Sequence, residues 1–282
     1  MTPTRGGYSF IRHLAWSLLL NHDPKRCIVT AFTAHYDASG SEADKQPEDV
    51  LVVVGLLANE YKWLRFEREW LAVLKTYKVP YFHRKELGDD RRKGVGVYAK
   101  WANDEDTPRK FVRALVKVIR RQTHKTFCLG LVLEDYAYVN SIYQLREGVG
   151  SPYVLAAARC YDRVNAWGRE HYPKNKSLHI FEEGDCGQKD FLKLAKTLGH
   201  RPQTMPKKDK ETGEWFIPFQ GADLVAGAWR HAASRRFRVA SLEDYGEEFN
   251  EIATPRARDA KVLHRANLMA WCKSNPNTPR RS

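Results

Sequence analysis

The unbroken apolar stretch at residues 50–58 (VLVVVGLLA) most restricts what this chain can fold into. Its length and its β-branched residues are typical of a strand that is buried on both faces. It follows a β-rich stretch, residues 27–36 (CIVTAFTAHY), which runs into the turn-forming residues 37–40 (DASG). The two stretches predict a pair of antiparallel strands that opens the fold.

Predicted helices and strands then alternate along the chain, which indicates an α/β fold. Periodic apolar residues predict helices at 60–77, from 107, at 152–172, at 188–198 and from 220; strands are predicted at 127–133, at 177–181 and near 215–218. Residues 88–96 are glycine-rich and charged and predict a mobile loop.

No internal repeat or linker divides this pattern. We therefore predict an N-terminal extension with a short helix (residues 1–26), one α/β domain (27–240) and a helical, basic C-terminal extension with a disordered end (241–282).

The charge balance points to an anionic partner. Lys and Arg number 47 against 34 Asp and Glu, a formal net charge of +13, which favours nucleic acid or an anionic surface, although a plain basic protein would look the same. The five cysteines are odd in number and lack zinc-type spacing, which predicts a reducing, cytoplasmic setting. The apolar run at 15–20 is too short to span a membrane, so we expect no membrane partner.

Acidic residues stand where predicted elements end or begin. Asp37 follows the first strand, the cluster Glu182 to Asp185 follows a middle strand, and Asp223 lies near the start of a late helix. Because sites in open α/β sheets form beyond the carboxyl ends of strands, these groups are candidates for one crevice. Clustered carboxylates repel one another, and Mg²⁺ or Mn²⁺, which prefer oxygen ligands, would offset that repulsion.

Each acidic position also has a purely structural interpretation. Asp37 fits an Asx turn, Asp223 fits a helix N-cap or first-turn acid, and Glu182 and Glu183 fit a solvated strand end with Asp185 capping the next helix. Spacing by itself leaves both interpretations open.

Several segments together resemble the mostly bacterial proteins catalogued as domain of unknown function 3800, which are regarded as ribonuclease H-like. The similar segments, in the family's order, are His35-Tyr36-Asp37-Ala38-Ser39-Gly40, Phe82-His83, Phe181-Glu182-Glu183-Gly184-Asp185 and Gln220-Gly221-Ala222-Asp223-Leu224-Val225-Ala226-Gly227. The resemblance covers roughly residues 28 to 235. Ala38 stands where the family often has Glu, so one ligand of the family pattern is missing.

The resemblance implies a mixed sheet flanked by helices, with its first strands antiparallel and carboxylates gathered near its centre. It implies a two-metal site for Mg²⁺ or Mn²⁺ that acts on phosphodiesters. Asp37, Glu182 and Asp223 would be catalytic and would bind metal, with Asp185 as a further ligand and Glu183 and Gln220 as auxiliary residues. His83 would relay a proton or contact phosphate, although a histidine beside an aromatic residue is more often structural.

The expected activity is that of a nuclease or phosphodiester-transfer enzyme acting on DNA or RNA. Nearby basic residues would contact phosphates or simply form a solvated surface; they are Arg84, Lys85, Arg91, Arg92, Lys93, Lys207, Lys208 and Lys210. One alternative is a non-catalytic module that binds nucleic acid or protein. Another is the nuclease effector of a toxin or anti-phage system, controlled by a protein partner. The partner classes we expect are nucleic acid and either a protein or a second copy of the chain.

Overall fold

A computed structural model describes residues 32–40, 50–173, 177–238 and 258–274. Its strands are β1 (Phe32–Ser39), β2 (Val50–Asn59), β3 (Lys125–Val132), β4 (Ser177–Glu182), β5 (Gln203–Met205) and β6 (Arg258–Leu263). Its helices are α1 (Glu60–Thr76), α2 (Arg84–Lys93), α3 (Asp106–Gln122), α4 (Leu133–Tyr143), α5 (Leu145–Val149), α6 (Pro152–His171), α7 (Gln188–Thr197), α8 (Ile217–Arg238) and α9 (Arg265–Ser274), with a short 3-10 helix at Ala99–Trp101.

The strands form one mixed sheet in the order β5-β4-β1-β2-β3-β6. β2 runs antiparallel to both of its neighbours, β1 and β3, and an antiparallel pair at the start of the fold is what the sequence predicts. β4 pairs in parallel with β1, and β5 in parallel with β4. The carboxyl ends of β1, β4 and β5 therefore meet at one edge of the sheet.

Helices cover both faces of the sheet, and β2 shows why its sequence is uniformly apolar. Its side chains alternate between two cores: Val52 and Val54 pack with α1, α3 and α8, whereas Leu51 and Val53 pack with α6 on the other face. A strand covered on both sides needs apolar residues at every position.

Three local predictions are wrong. Asp37 does not follow the first strand but lies inside β1, paired opposite Val54, because β2 continues alongside it. Residues 88–96 are not a loop throughout: α2 extends to Lys93 and ends at Gly94, whose φ of 66° is the left-handed conformation that glycine adopts readily. Near 215–218, Trp215 forms only an isolated bridge with Lys208, and Ile217 already begins α8.

The predicted domain limits fall partly outside what the structure describes, since residues 1–26 are not included in it. The described part of the predicted C-terminal extension contains β6, which pairs in parallel with β3, and then α9. This part of the extension thus completes the sheet. Within the described ranges, no helix is both long and apolar enough to cross a membrane.

Candidate active site

Strand register brings Asp37 next to Glu182. Tyr36 pairs with Phe181 in the parallel β1–β4 ladder, and their rings stack with centroids 4.1 Å apart on the α6 face. Because side chains alternate along a strand, the next residues, Asp37 and Glu182, both point to the opposite face, the one that α8 covers. Two carboxylates from neighbouring strands are thereby held side by side.

Helix α8 adds Asp223 to this face. The helix packs across β1 and β2, and because it begins at Ile217, Asp223 lies in its second turn. This position excludes the interpretation of Asp223 as an N-cap or first-turn acid. Its Oδ2 accepts a hydrogen bond from the backbone N–H of Arg84, 2.8 Å away. One turn further, Gly227 leaves room for the Arg84 side chain, since a Cβ there would lie 2.5 Å from Arg84 Cδ.

Lys207, in the loop after β5, places its ammonium group among the carboxylates. Its Nζ lies 3.1 Å from Glu182 Oε1, and the side chains are only 21% and 12% exposed. Burial acts to lower the pKa of Lys207, but attraction to Asp37, Asp223 and Glu182 outweighs it and raises the pKa. The sequence placed Lys207 only among general phosphate contacts. Its position inside the cluster depends on the β4–β5 pairing, which local spacing does not reveal.

The pKa values of the acids show that they form one electrostatic unit. Burial raises the pKa of Asp37, and repulsion from Glu182, Asp223 and Asp185 raises it further, against the opposing effect of Lys207. Burial likewise raises the pKa of Glu182 to about 7 and that of Asp185 to about 6. A divalent cation would relieve this destabilised concentration of negative charge.

Two buried oxygens at this site are poorly hydrogen-bonded. Oε2 of Glu182 makes no hydrogen bond within the described chain, and the Tyr153 hydroxyl interacts with Asp185 without reaching ordinary hydrogen-bond geometry. Burial raises the pKa of Tyr153, and the nearby charges of Asp185 and Asp37 raise it further, so the phenol belongs to the same cluster. Because buried polar atoms are nearly always satisfied, a water or an ion is expected to contact them. Tyr153 was not singled out from the sequence, where it looks like any core aromatic of α6.

The other predicted site residues, His83, Gln220 and Glu183, have partners outside this cluster of acids. His83 is beside Arg84, but its Nδ1 lies 3.0 Å from Glu86 Oε1, a carboxylate that the sequence analysis did not single out. Gln220 is fully buried: its Oε1 accepts hydrogen bonds from Trp70 Nε1 and from the N–H of Phe82. It therefore anchors the chain that leads to His83. Glu183 is exposed, and its N–H donates to the carbonyl of Met205.

Several of the predicted phosphate-contacting cations have protein partners. Arg91 pairs with Glu105, Arg92 with Asp89, and the Lys208 ammonium lies 5.8 Å from the centre of the Trp215 ring. Lys85 and Lys93 are exposed on α2.

The donor set suits a hard divalent cation, since it consists of carboxylate oxygens with one unpartnered buried oxygen on Glu182. In the arrangement seen across the described ranges, no three His, Cys, Asp or Glu side chains are already grouped to hold a metal ion. Oε1 of Glu182 is bound to Lys207 instead. Asp37, Glu182, Asp185 and Asp223 would thus need side-chain adjustment to bind an ion together.

The sequence matches no family model, and it matches no curated protein. Several solved structures resemble the chain, including the following two. The crystal structure of Bst-RNase HIII in complex with Mn²⁺ aligns with 94% of this chain and 82% of its own, at 11% identity and a TM-score of 0.40. A chain of the PCNA:RNase HII complex from Archaeoglobus fulgidus aligns over 88% of this chain and 93% of its own, at 17% identity and a TM-score of 0.36.

At these identities and scores the two likenesses carry no information on chemistry. The chain's own architecture confirms the predicted fold class at the level of a mixed sheet flanked by helices, with its first strands antiparallel.

Proposed function

We propose that this protein is a metal-dependent nuclease or phosphodiester-transfer enzyme that acts on DNA or RNA. The observation that supports the proposal is the electrostatic coupling of Asp37 with Glu182, Asp185 and Asp223, which come from β1, from the end of β4 and the loop after it, and from α8. A buried carboxylate whose pKa is raised by burial and by neighbouring acids, as for Asp37, is costly for a fold, and such groups are concentrated at functional sites. The motif resemblance to domain of unknown function 3800 is part of the same proposal.

In this proposal Asp37, Glu182, Asp185 and Asp223 hold one or two Mg²⁺ or Mn²⁺ ions. When bound, such ions lower the pKa of an attacking water and offset charge on the leaving oxygen. The chain's own residues orient the site: the Arg84 N–H fixes the Asp223 carboxylate, and Lys207 holds Glu182. His83 lies next to Arg84, with Nδ1 on Glu86, so its Nε2 is left to move a proton or to contact a phosphate.

The proposed partner is nucleic acid because the chain carries a net charge of +13 around an acidic centre. Cationic side chains bind the phosphate backbone without regard to sequence and make the affinity dependent on salt. The exposed Lys85 and Lys93 of α2, on the segment that follows His83, are suited to this contact. A protein partner or a second copy of the chain stays a prediction.

The test is cleavage of labelled single-stranded and duplex DNA and RNA by the purified full chain with Mn²⁺ or Mg²⁺. We expect cleavage that EDTA abolishes, and at least a ~100-fold lower rate in Asp37→Asn and in Asp223→Asn, because each loses a charged ligand. Asp190→Asn is the matched control: it makes the same chemical change at an exposed position on α7. Cleavage that survives both substitutions would overturn the proposal.

Two observations favour a second candidate function, a non-catalytic module that binds nucleic acid. Lys207 already neutralises Glu182, and Ala38 stands where the resembled family often has a further acid. Salt-sensitive binding of the same oligonucleotides, without cleavage in Mn²⁺ or Mg²⁺, would support this module and contradict the nuclease.

A further inference from the structure

A cavity lies on the face of the sheet opposite the carboxylates. It encloses about 540 Å³ between the ends of β3 and β6 and the helices α6 and α9. Leu129 of β3 lines it and belongs to the core under α6, whereas Asp37 points to the α8 face. The cavity is therefore separate from the proposed nuclease site, and its size is in the range of small-molecule pockets.

The interior wall of the cavity is apolar. Leu129, Leu155, Leu263 and Leu268 line it, and the Trp271 ring of α9 closes one side. These side chains offer a surface for an apolar or aromatic body rather than for a bare ion.

Three cationic side chains share this cavity with the apolar wall. Arg159 and Arg163 lie on α6, about one and two turns after Leu155, and Lys261 projects from β6. Like charges at this helical spacing repel each other, and Asp259 pairs with only one of the three cations. No acidic side chain lines the cavity in the described part of the chain.

One of the arginines, Arg163, is also incompletely hydrogen-bonded. Arg163 uses Nη2 to pair with Asp259, but its Nη1 is buried and has no acceptor among the described residues. The Arg159 guanidinium lies over the Trp271 ring, 5.4 Å from its centre, and Lys261 is exposed at the rim. Burial also lowers the pKa of Arg163.

The charge and the lining of the cavity together indicate which class of ligand would fit it. Among the described residues, three cations against the one carboxylate of Asp259 leave a net charge of about +2, which matches the −1.5 to −2 of a phosphate monoester near pH 7. Guanidinium groups also bind phosphate oxygens through paired hydrogen bonds. We propose that this cavity binds a small phosphate monoester, with the phosphate at Arg159, Arg163 and Lys261 and an aromatic or apolar body against the leucines and Trp271.

The experiment is calorimetric titration of the full chain in EDTA, so that no divalent ion can carry a ligand to the carboxylate cluster. The probes are AMP and phenyl phosphate, which join a phosphate to an aromatic body; adenosine and inorganic phosphate each supply one half, and octanoate supplies a carboxylate. We expect AMP or phenyl phosphate to bind at least ~10-fold more tightly than any of the other three. Which of the two binds better distinguishes a nucleotide from a simpler aryl or alkyl phosphate.

Arg159→Gln with Lys261→Gln removes two cations of the cavity and leaves the Arg163–Asp259 pair intact. This double variant should lose at least ~10-fold in affinity. Lys193→Gln with Lys196→Gln, both exposed on α7, makes the same change in charge away from the cavity and should bind as the parent does. Failure of both aromatic phosphates to bind, equal binding of octanoate, or equal losses in the two double variants would overturn the proposal. None of these outcomes depends on nuclease activity.

Discussion

At the scale of single residues, the site is a balance between one cation and several buried acids. Asp37 is only 4% exposed, and its pKa is raised by burial and by the neighbouring carboxylates. Lys207 acts in the opposite direction on both Asp37 and Glu182. Removing an acid and removing the lysine should therefore change the stability of the metal-free protein in opposite directions.

We predict that Asp37→Asn stabilises the metal-free protein at pH 7 by about 1 kcal/mol, because the amide keeps the shape and lacks the repelled charge. Lys207→Met should instead cost about 2 kcal/mol, since it leaves Glu182 unpaired at a partly buried position. Urea unfolding in EDTA measures both changes.

Binding of Mn²⁺ provides the control for the variants Asp37→Asn and Lys207→Met. It should raise the midpoint of thermal unfolding of the parent, and of Lys207→Met by at least as much, because the ion then meets less competition from an ammonium group. The increase should largely disappear in Asp37→Asn. If Mn²⁺ raises the midpoint of thermal unfolding of Asp37→Asn as much as that of the parent, the ion binds elsewhere.

At the scale of elements, α8 organises the site through one stripe of residues. Gln220, Asp223 and Gly227 recur at helical spacing and contact, respectively, Phe82, the Arg84 backbone and the Arg84 side chain. The helix thereby fixes the chain segment that begins α2 and carries His83. The same stripe explains why a glycine is suited to position 227, where any side chain would meet Arg84.

We predict that Gln220→Met lowers the free energy of unfolding by about 2 to 3 kcal/mol, because the Trp70 and Phe82 N–H donors lose their acceptor in a buried place. Amide hydrogen exchange at Phe82 and Arg84 should become faster in this variant.

Trp70→Phe is the matched control, since it removes one donor and leaves the Gln220–Phe82 bond. It should destabilise the protein without faster exchange at Phe82. If amide exchange at Phe82 becomes equally faster in both variants, Gln220 does not anchor Phe82.

At the scale of the whole molecule, the sheet separates two polar sites and carries a buried histidine in one of its cores. His179 lies between β1 and α6: its Nδ1 is 2.7 Å from the Tyr36 hydroxyl, and its Nε2 is 3.0 Å from Asn165 Oδ1. Burial, with a smaller effect of His200, lowers the pKa of His179 to about 3.

Because the folded-state pKa of His179 is below the ordinary value of 6.5, only the unfolded chain gains this proton between about pH 6.5 and pH 3. Stability is therefore lost as the pH falls through that window, by up to about 1.4 kcal/mol per pH unit. Glu182 and Asp185 have the opposite effect on stability. Because their pKa values are raised in the folded state, the folded protein takes up these protons first, and its stability rises as the pH falls from about 7.

A comparison with His179→Gln isolates the histidine, because both proteins share the carboxylates. The parent should be more stable at pH 7, and its advantage should shrink by about 2 kcal/mol on going to pH 5. Denaturant unfolding at both pH values measures this difference, and an unchanged advantage would show that His179 does not remain neutral in the core.

Much of the fold was determined by the sequence itself. The apolar run of β2 and the helical periodicity of α1, α6 and α7 are local patterns, and their bounds in the structure agree to within one or two residues. The sequence also predicted Asp37, Glu182, Asp185 and Asp223 as one group, because their motifs resemble those of a known family in the same order; that they bind metal stays a prediction.

Tertiary structure decided what local patterns do not encode. Whether Asp37 is a turn residue or a strand residue depends on how far β2 accompanies β1, and the role of Lys207 depends on a loop that β5 positions beside β4. The cationic cavity likewise brings together α6, β3, β6 and α9, which are distant in sequence. Each of these features arises from pairing and packing between remote segments, and their energies do not appear in any short stretch of the chain.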